Sequence, residues 1–402
     1  MRFKPTPLTA VFITVFIDLL GFGLFIPDIQ VRGRLLGAEG FVLGALISTF
    51  SLCQFIFSPL IGQLSDRVGR RKVLLITILL EMVAYAFYAH AAYAVIWMFF
   101  ARAFAGIASS NLGVAYAYTA DVLPSHERSK GIGTVGAALG LGFLLGAPLG
   151  ALLVKWGGGA PYLLGYSAVA FSAINWLYVY FFLPESLSQE KRKTAADGWH
   201  LHLSTTLYAL RLPNIGFLLM LYFTASFAVS NLESTFIQLM YFDLHLSEEQ
   251  GGLVFAYAGF LAAMMQSFAG RTVIPKFGEV KVMRLGYILQ APGLAAIPFT
   301  VPWVGFLTAI SIYAIGRGVS DPAVNTLISR SAPPEIQGGI FGVTQSMGAL
   351  ARILSPLVAN SLFDLHPSFP YLFAALLLII PFVGIKRVAK HPHQYPNYSE
   401  LV

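Results

Sequence analysis

Twelve stretches of about twenty mostly apolar residues follow one another along the chain, separated by short polar connections. They cover 8–30, 40–62, 72–91, 94–121, 131–154, 161–183, 213–242, 250–274, 281–300, 303–330, 337–362 and 369–386. A helix rises about 1.5 Å per residue, so each stretch matches the roughly 30 Å of a bilayer's hydrocarbon core. Lipid offers no partner to backbone N–H and C=O groups, which predicts helix throughout. The apolar run that begins at Leu8 is longer than the core of a cleaved signal peptide and is expected to stay as the first span. The longest connection, 184–212, is polar and carries Glu190, Lys191, Arg192 and Lys193. It divides the chain into a six-helix half at 1–183 and a second at 213–388, with a tail at 389–402. The expected fold is an all-α membrane protein of twelve transmembrane helices in two bundles.

Composition agrees. Of the 402 residues 56% are apolar and 11% charged, against about 25% charged in a soluble domain. The net charge of +7 forms no nucleic-acid stripe, because the bases sit between apolar runs. With both termini placed in the cytoplasm, twenty of the 26 Lys and Arg residues fall on that side. Arg32, Arg34 and Lys155 fall on the other, and Arg102, Arg317 and Arg352 lie within spans. One cysteine, Cys53, excludes an internal disulfide framework. Short connections and compactness suit a bacterial inner membrane, and a monomer is expected.

The halves repeat each other at an offset of 208 or 209 residues. Gly69 matches Gly278, Lys72 matches Lys281, Glu127 matches Glu335 and Pro148 matches Pro356. With the orientation preserved, this is a parallel repeat about an axis along the membrane normal. The run Gly62-Gln63-Leu64-Ser65-Asp66-Arg67-Val68-Gly69-Arg70-Arg71-Lys72 follows the second span. It resembles the loop motif between helices 2 and 3 of the major facilitator superfamily. Asp18 with Pro27, and Arg102 with Gly106, resemble motifs of that superfamily's drug:proton antiporter branch, which includes tetracycline exporters. The resemblance implies two bundles around a central cavity that opens alternately to each side. It also implies a latch on the cytoplasmic face made by Gly62, Asp66, Arg67, Gly69 and Arg70, with Asp121 as the acid that Arg70 reaches. The alternative for the bases is a plain set of positive-inside anchors, which suits Arg71 and Lys72.

A charge at mid-span costs about 2.5–3.5 kcal/mol on insertion scales, so each must face a cavity or a partner. Arg102 shares a helix face with Gly106, Ser109 and Gly113, a stripe suited to packing on the first or fifth helix, and Asp18 is its preferred partner. In the resembling antiporters the matching pair belongs to the proton-coupling region; the bland reading is a permanent ion pair. Glu233 lies among Ser230, Asn231 and Ser234 with no base at helical spacing, and is a candidate proton or cation site. Arg317 and Asp321 are four apart and can satisfy one another. Arg352 shares a face with Gln345 and is expected to meet Glu233 or Asp321, or an anionic substrate. Glu81 has no assigned role: the tetracycline exporters have an acid one turn later, where this chain has Ala84.

Asn111, Tyr116, Tyr222 and Tyr257, together with Asn231, Arg317, Asp321, Gln345 and Arg352, are candidates to line a cavity for an amphipathic solute. For any one tyrosine, packing is the simpler reading. Gly142, Gly146 and Gly150 form a small-residue packing stripe around Pro148. The resembling antiporters carry Gly-Pro-x-x-Gly-Gly here, whereas this chain reads Gly146-Ala147-Pro148-Leu149-Gly150-Ala151. No Walker loop, HExxH or nucleophile elbow is present, so neither a cofactor nor an enzymatic reaction is expected. His200, His202, His391, His393 and the sequon Asn397-Tyr398-Ser399 read as unused polar positions. The leading expectation is proton-coupled export of small amphipathic molecules, with protons, a small solute and the bilayer as partners. The altered fifth-helix motif leaves open a symporter or facilitator for a polar nutrient. A non-transporting receptor or scaffold is the third reading, which the buried charges disfavour.

Overall fold

The computed structural model describes residues 6–91, 94–124, 128–187, 213–300, 303–331 and 337–390. The expectations for Glu127, Glu190 to Lys193, Glu335, the four loop and tail histidines and the sequon fall outside those residues. Among the described residues the chain forms twelve helical rods and no strand. In chain order they are α1 Pro7–Leu35, α2 Gly40–Val68, α3 Arg70–Ala89, α4 Val95–Val122, α5 Arg128–Trp156 and α6 Pro161–Phe182. There follow α7 Ile215–Asp243, α8 Glu248–Phe277, α9 Glu279–Ala296, α10 Trp303–Ser331, α11 Gln337–Leu365, and α12, made of Phe369–Leu377 and Ile379–Lys390. Ten are long and apolar enough to cross a membrane.

Two rods carry informative breaks. α1 breaks at Phe25 because Pro27 has no N–H to give the carbonyl of Gly23. α4 tightens to a 3-10 turn at Ser109–Asn111. α2 runs on to Val68, so the motif expected as a loop is helical up to that residue, and Gly69 alone turns the chain into α3. Gly69 has φ 106° and ψ 149°, and its repeat partner Gly278 has φ 78° and ψ 154°. Only glycine takes this conformation without strain, and a side chain there costs about 1–3 kcal/mol. Gly69→Ala is therefore expected to lower the thermal midpoint of the purified protein, as Gly278→Ala does, while Gly62→Ala does not. Nothing lies within 4 Å of a Cβ on Gly62, so no close helix approach rests on that glycine among the described residues.

The chain divides into two compact units. The first comprises Met1–His200 with Ile237–Tyr257, and the second Leu201–Phe236 with Ala258–Val402. A division at 184–212 assigns Ile237–Tyr257 to the other half. In the first unit this segment is tied by Gln30 Oε1 accepting from the Ile237 N–H at 3.2 Å, Arg34 donating to Gln238 at 2.9 Å, and Lys155 pairing with Glu249 at 2.5 Å.

Glycine sets the tightest contacts of the first unit. A Cβ on Gly142 would lie 2.8 Å from Leu19 Cβ and Phe16 O, one on Gly146 2.7 Å from Gly23 Cα, and one on Gly150 against Leu24 O. α1 and α5 thus touch backbone to backbone along the stripe. Gly106 does not pack on the first or fifth helix as expected. It faces the Phe50 carbonyl and Cys53 on α2, because α4 turns that face toward α2.

Two apolar clusters fill the first unit. One holds Leu24, Phe25, Tyr85, Tyr88, Met98 and Leu164, the other Val15, Ile78, Val114, Tyr118 and Val179. Large apolar side chains such as Phe181, Val304 and Trp156 remain exposed on the outside. Apolar rods with apolar outer faces make an integral, multi-pass membrane protein.

Candidate functional site

A polar layer separates the two apolar clusters. It takes one or two residues from each of four helices: Asp18 from α1, Glu81 from α3, Asn111 from α4, and Ser172 with Asn175 from α6. All five are buried. Asp18 accepts from Asn111 Nδ2 at 3.0 Å through Oδ2 and from Asn175 Nδ2 at 2.5 Å through Oδ1. Asn175 also donates to the carbonyl of Thr14 at 3.2 Å. Glu81 accepts from the Tyr85 hydroxyl at 2.8 Å and from Ser172 at 3.5 Å. Gly21 makes room for that tyrosine, since a Cβ there would sit 2.9 Å from Tyr85 Oη. Asp18 and Glu81 are thus held in one buried layer, joined through Asn175 and Ser172, which lie one turn apart on α6. Among the described residues no basic side chain pairs with either. Sequence reasoning left Glu81 without a role and did not single out Asn175, Ser172 or Tyr85. The available signal was a lone Asn and a lone Glu within otherwise apolar spans.

The expected Asp18–Arg102 pair is not formed. Asn111, nine residues after Arg102 and so roughly 13 Å farther along α4, is at the level of Asp18. The Arg102 guanidinium instead lies 4.5 Å from the Phe50 ring and 5.7 Å from that of Phe22, with a long bond of 3.4 Å to the Ile47 carbonyl. Aromatic faces replace the carboxylate as its neutralising surroundings, each contact contributing about 0.5–2 kcal/mol.

At the basic end of the first unit, Arg70 joins four elements. Its guanidinium binds Asp66 at 2.6 Å, Ser65 Oγ at 2.6 Å and Asp121 at 3.2 Å. Its backbone N–H donates to Glu185 at 2.9 Å, which places a carboxylate at the start of α3, where the helix dipole favours it. Ser186 donates to Asp121 at 3.1 Å. Glu185 and Ser186 were not foreseen, because they follow α6 in sequence. Arg67 is half-buried in the last turn of α2. Arg71 donates to the Tyr180 carbonyl and lies over the Tyr180 ring, so it is more than an anchor. The second unit repeats the arrangement with the signs exchanged. At an offset of 209 from Arg70 and Asp121 stand Glu279 and Arg330, paired at 2.5 Å.

In the second unit Glu233 meets Arg317 at 2.9 Å, and Arg317 reaches Asp321 at 3.5 Å. The guanidinium thus lies between two carboxylates, and the partner that Glu233 lacks on its own helix comes from α10. Asn231 is wholly buried and its amide has no hydrogen-bond partner among the described residues. Arg352 pairs with neither acid. It and Gln345 are exposed, and Tyr222 is half-buried. Tyr116 packs at the edge of an apolar cluster of the first unit, and Tyr257 is exposed.

The sequence profile described as Major Facilitator Superfamily matches residues 11–356. Mouse "major facilitator superfamily domain-containing protein 10" is 30% identical over 373 residues, which is 87% of this chain and 79% of the mouse protein. "Tetracycline resistance protein, class C" of Escherichia coli is 27% identical over 385 residues, 94% of this chain and 95% of the relative. The crystal structure of the "human organic anion transporter MFSD10 (TETRAN)" superposes with a TM-score of 0.69 at 26% identity, covering 95% of this chain and 100% of that one. Twelve apolar rods with buried charges and a profile match over most of the length lead to one conclusion: this chain belongs to the major facilitator superfamily, and it is a membrane transporter of small molecules, not an enzyme.

Proposed function

We propose that the protein is a proton-coupled secondary transporter that exports small amphipathic molecules by alternating access. Its working halves are 1–183 and 213–388, joined by the 184–212 connection, with both termini and the 389–402 tail in the cytoplasm. The observation that carries this reading is the two buried carboxyls of one polar layer, Asp18 and Glu81, held by neutral amides and hydroxyls and, among the described residues, by no base. A carboxylate in such a place gains or loses a whole charge when a proton arrives or leaves. Its hydrogen bonds to Asn111 and Asn175 then rearrange, which links the proton to the packing of α1, α4 and α6. Glu233, clamped by Arg317, is a second candidate for a linked proton. The relatives named for tetracycline resistance support an exporter. The test is solute movement in proteoliposomes. An imposed inside-acid gradient drives uptake of an amphipathic test solute against its own gradient, and a protonophore stops it. Solute and protons moving in the same direction would select the nutrient symporter.

Arg70 is the proposed latch on the cytoplasmic side. Arg70→Ala removes the side-chain contacts to Asp66, Ser65 and Asp121 at once, and the expected result is a slower transport cycle with the protein still folded. Thiol labelling of cysteines placed at the ends of α2 and α4 is expected to become faster. Unchanged labelling would make the cluster a static anchor.

A second reading of the substrate rests on the similarity to the human organic anion transporter and on the exposed Arg352. On this reading the transported amphipathic molecule is an anion.

A further inference from the structure

Arg352 stands in the middle of α11, about 22 Å from its start at Gln337. It is exposed, and among the described residues it makes no hydrogen bond or ion pair. An exposed guanidinium at that depth faces either lipid or water. The pitch of the helix decides between them. At about 100° per residue, the exposed apolar residues Leu350 and Leu354 project about 160° away from Arg352, Leu365 about 140° and Val358 about 120°. Gln345, also exposed, projects within about 20° of it. Arg352 and Gln345 therefore form a polar face directed away from the lipid side.

The neighbouring face of α11 packs on α7. Ser355 donates to the Phe227 carbonyl at 2.8 Å. A Cβ on Gly348 would lie 3.4 Å from Tyr222 Oη and 3.5 Å from Arg352 Nη1. The phenol and the guanidinium thus flank one glycine and are at most about 7 Å apart. An oxyanion between them lies within about 3.5 Å of both donors. Tyr222 is also within electrostatic range of Arg317 and Asp321. The two carboxylates of this unit's interior, Glu233 and Asp321, are both committed to Arg317. Among the described residues no carboxylate pairs with Arg352. The pairing is chemically sensible, since a planar guanidinium beside a phenol is a donor set for a carboxylate or sulfonate.

We propose that Arg352, assisted by Tyr222 and Gln345, binds the anionic group of the transported molecule, and that the substrate class is a small aromatic or apolar organic acid. This inference rests on the transporter reading but not on proton coupling. The experiment measures binding to the purified full-length protein by calorimetry at fixed pH, with two probe pairs. These are indole-3-acetate against indole-3-acetamide, and naphthalene-2-sulfonate against naphthalene-2-sulfonamide. The acid of at least one pair is expected to bind about ten- to a hundredfold more tightly than its amide. Arg352→Gln removes that preference and leaves amide binding as it was. Arg352→Lys keeps part of it, and Tyr222→Phe weakens acid binding several-fold. Equal binding of acid and amide, no binding by any of the four probes, or a preference that survives Arg352→Gln overturns the proposal. If Arg352→Gln does not yield a folded protein, the Tyr222→Phe result decides. Asp18→Asn separates the two readings. It is expected to abolish the response to a proton gradient and leave the acid preference intact. A proton response unchanged in Asp18→Asn refutes coupling there without touching the anion site.

Discussion

Asp18→Asn is expected to reduce solute flux under an imposed proton gradient to the level measured with no gradient, while the protein still reaches the membrane and stays monodisperse. The substitution keeps the size of the side chain and its ability to accept a hydrogen bond, but it cannot take up or release a proton. Asn111 and Asn175 present Nδ2 donors to the two oxygens of Asp18 at 3.0 and 2.5 Å. An amide in place of the carboxylate can accept only one of these donations, so it turns a charge-assisted network into an ordinary one. Burial makes this site sensitive, because solvent does not replace the lost contacts. Glu81→Gln is expected to have a smaller effect of the same kind, since Tyr85 still finds an acceptor in the amide oxygen and the Ser172 hydroxyl can turn to accept from the amide nitrogen. Gradient-driven flux in Asp18→Asn equal to that of the parent would remove this carboxyl from the coupling path. Asn175→Leu is the useful companion: it removes the donor but keeps the acid, and should slow transport without uncoupling it.

The second large effect is structural. Gly150→Val is expected to prevent the first unit from assembling, seen as loss of the monodisperse peak in detergent. A Cβ on Gly150 falls on the Leu24 backbone carbonyl, and neither backbone can yield without separating α1 from α5 along the whole stripe. Overpacking in a core costs about 1–3 kcal/mol where side chains can adjust. Here the obstacle is backbone, so the cost is at least at the upper end of that range. Gly136→Ala is the control. It lies on the same helix with nothing within 4 Å of a Cβ. It should be neutral or should stabilise by up to about 1 kcal/mol, the helix propensity difference between the two residues. Equal expression and thermal midpoint for Gly150→Val and Gly136→Ala would mean that α1 and α5 are not in backbone contact.

How much of this was legible beforehand depends on the range of the interaction. The ends of α6 and α10 fall within a residue of the apolar boundaries, because lipid imposes helix on any sufficiently long apolar run. The packing stripe Gly142, Gly146 and Gly150 was legible for a similar reason: its spacing puts three small residues on one face whatever that face meets. In the sequence only a motif brings Arg70, Asp66 and Asp121 together, and Glu185, which caps α3, carries no mark there. Arg102 shows the limit. Its charge called for an acid, and two phenylalanine rings supplied the partner instead. Nothing in the residue type Phe announces a cation-binding role.

By itself the sequence determined the number of helical rods, their helical state and the requirement that each charge inside the bilayer face a cavity or a partner. These follow from local composition and from a solvent that satisfies no backbone polar group. Only the tertiary structure decided who the partners are. Asp18 finds Asn111 and Asn175 at separations of 93 and 157 residues, and Glu233 finds Arg317 84 residues away. Helix periodicity fixes the face on which a side chain lies, but not which other helix comes against that face or at what height.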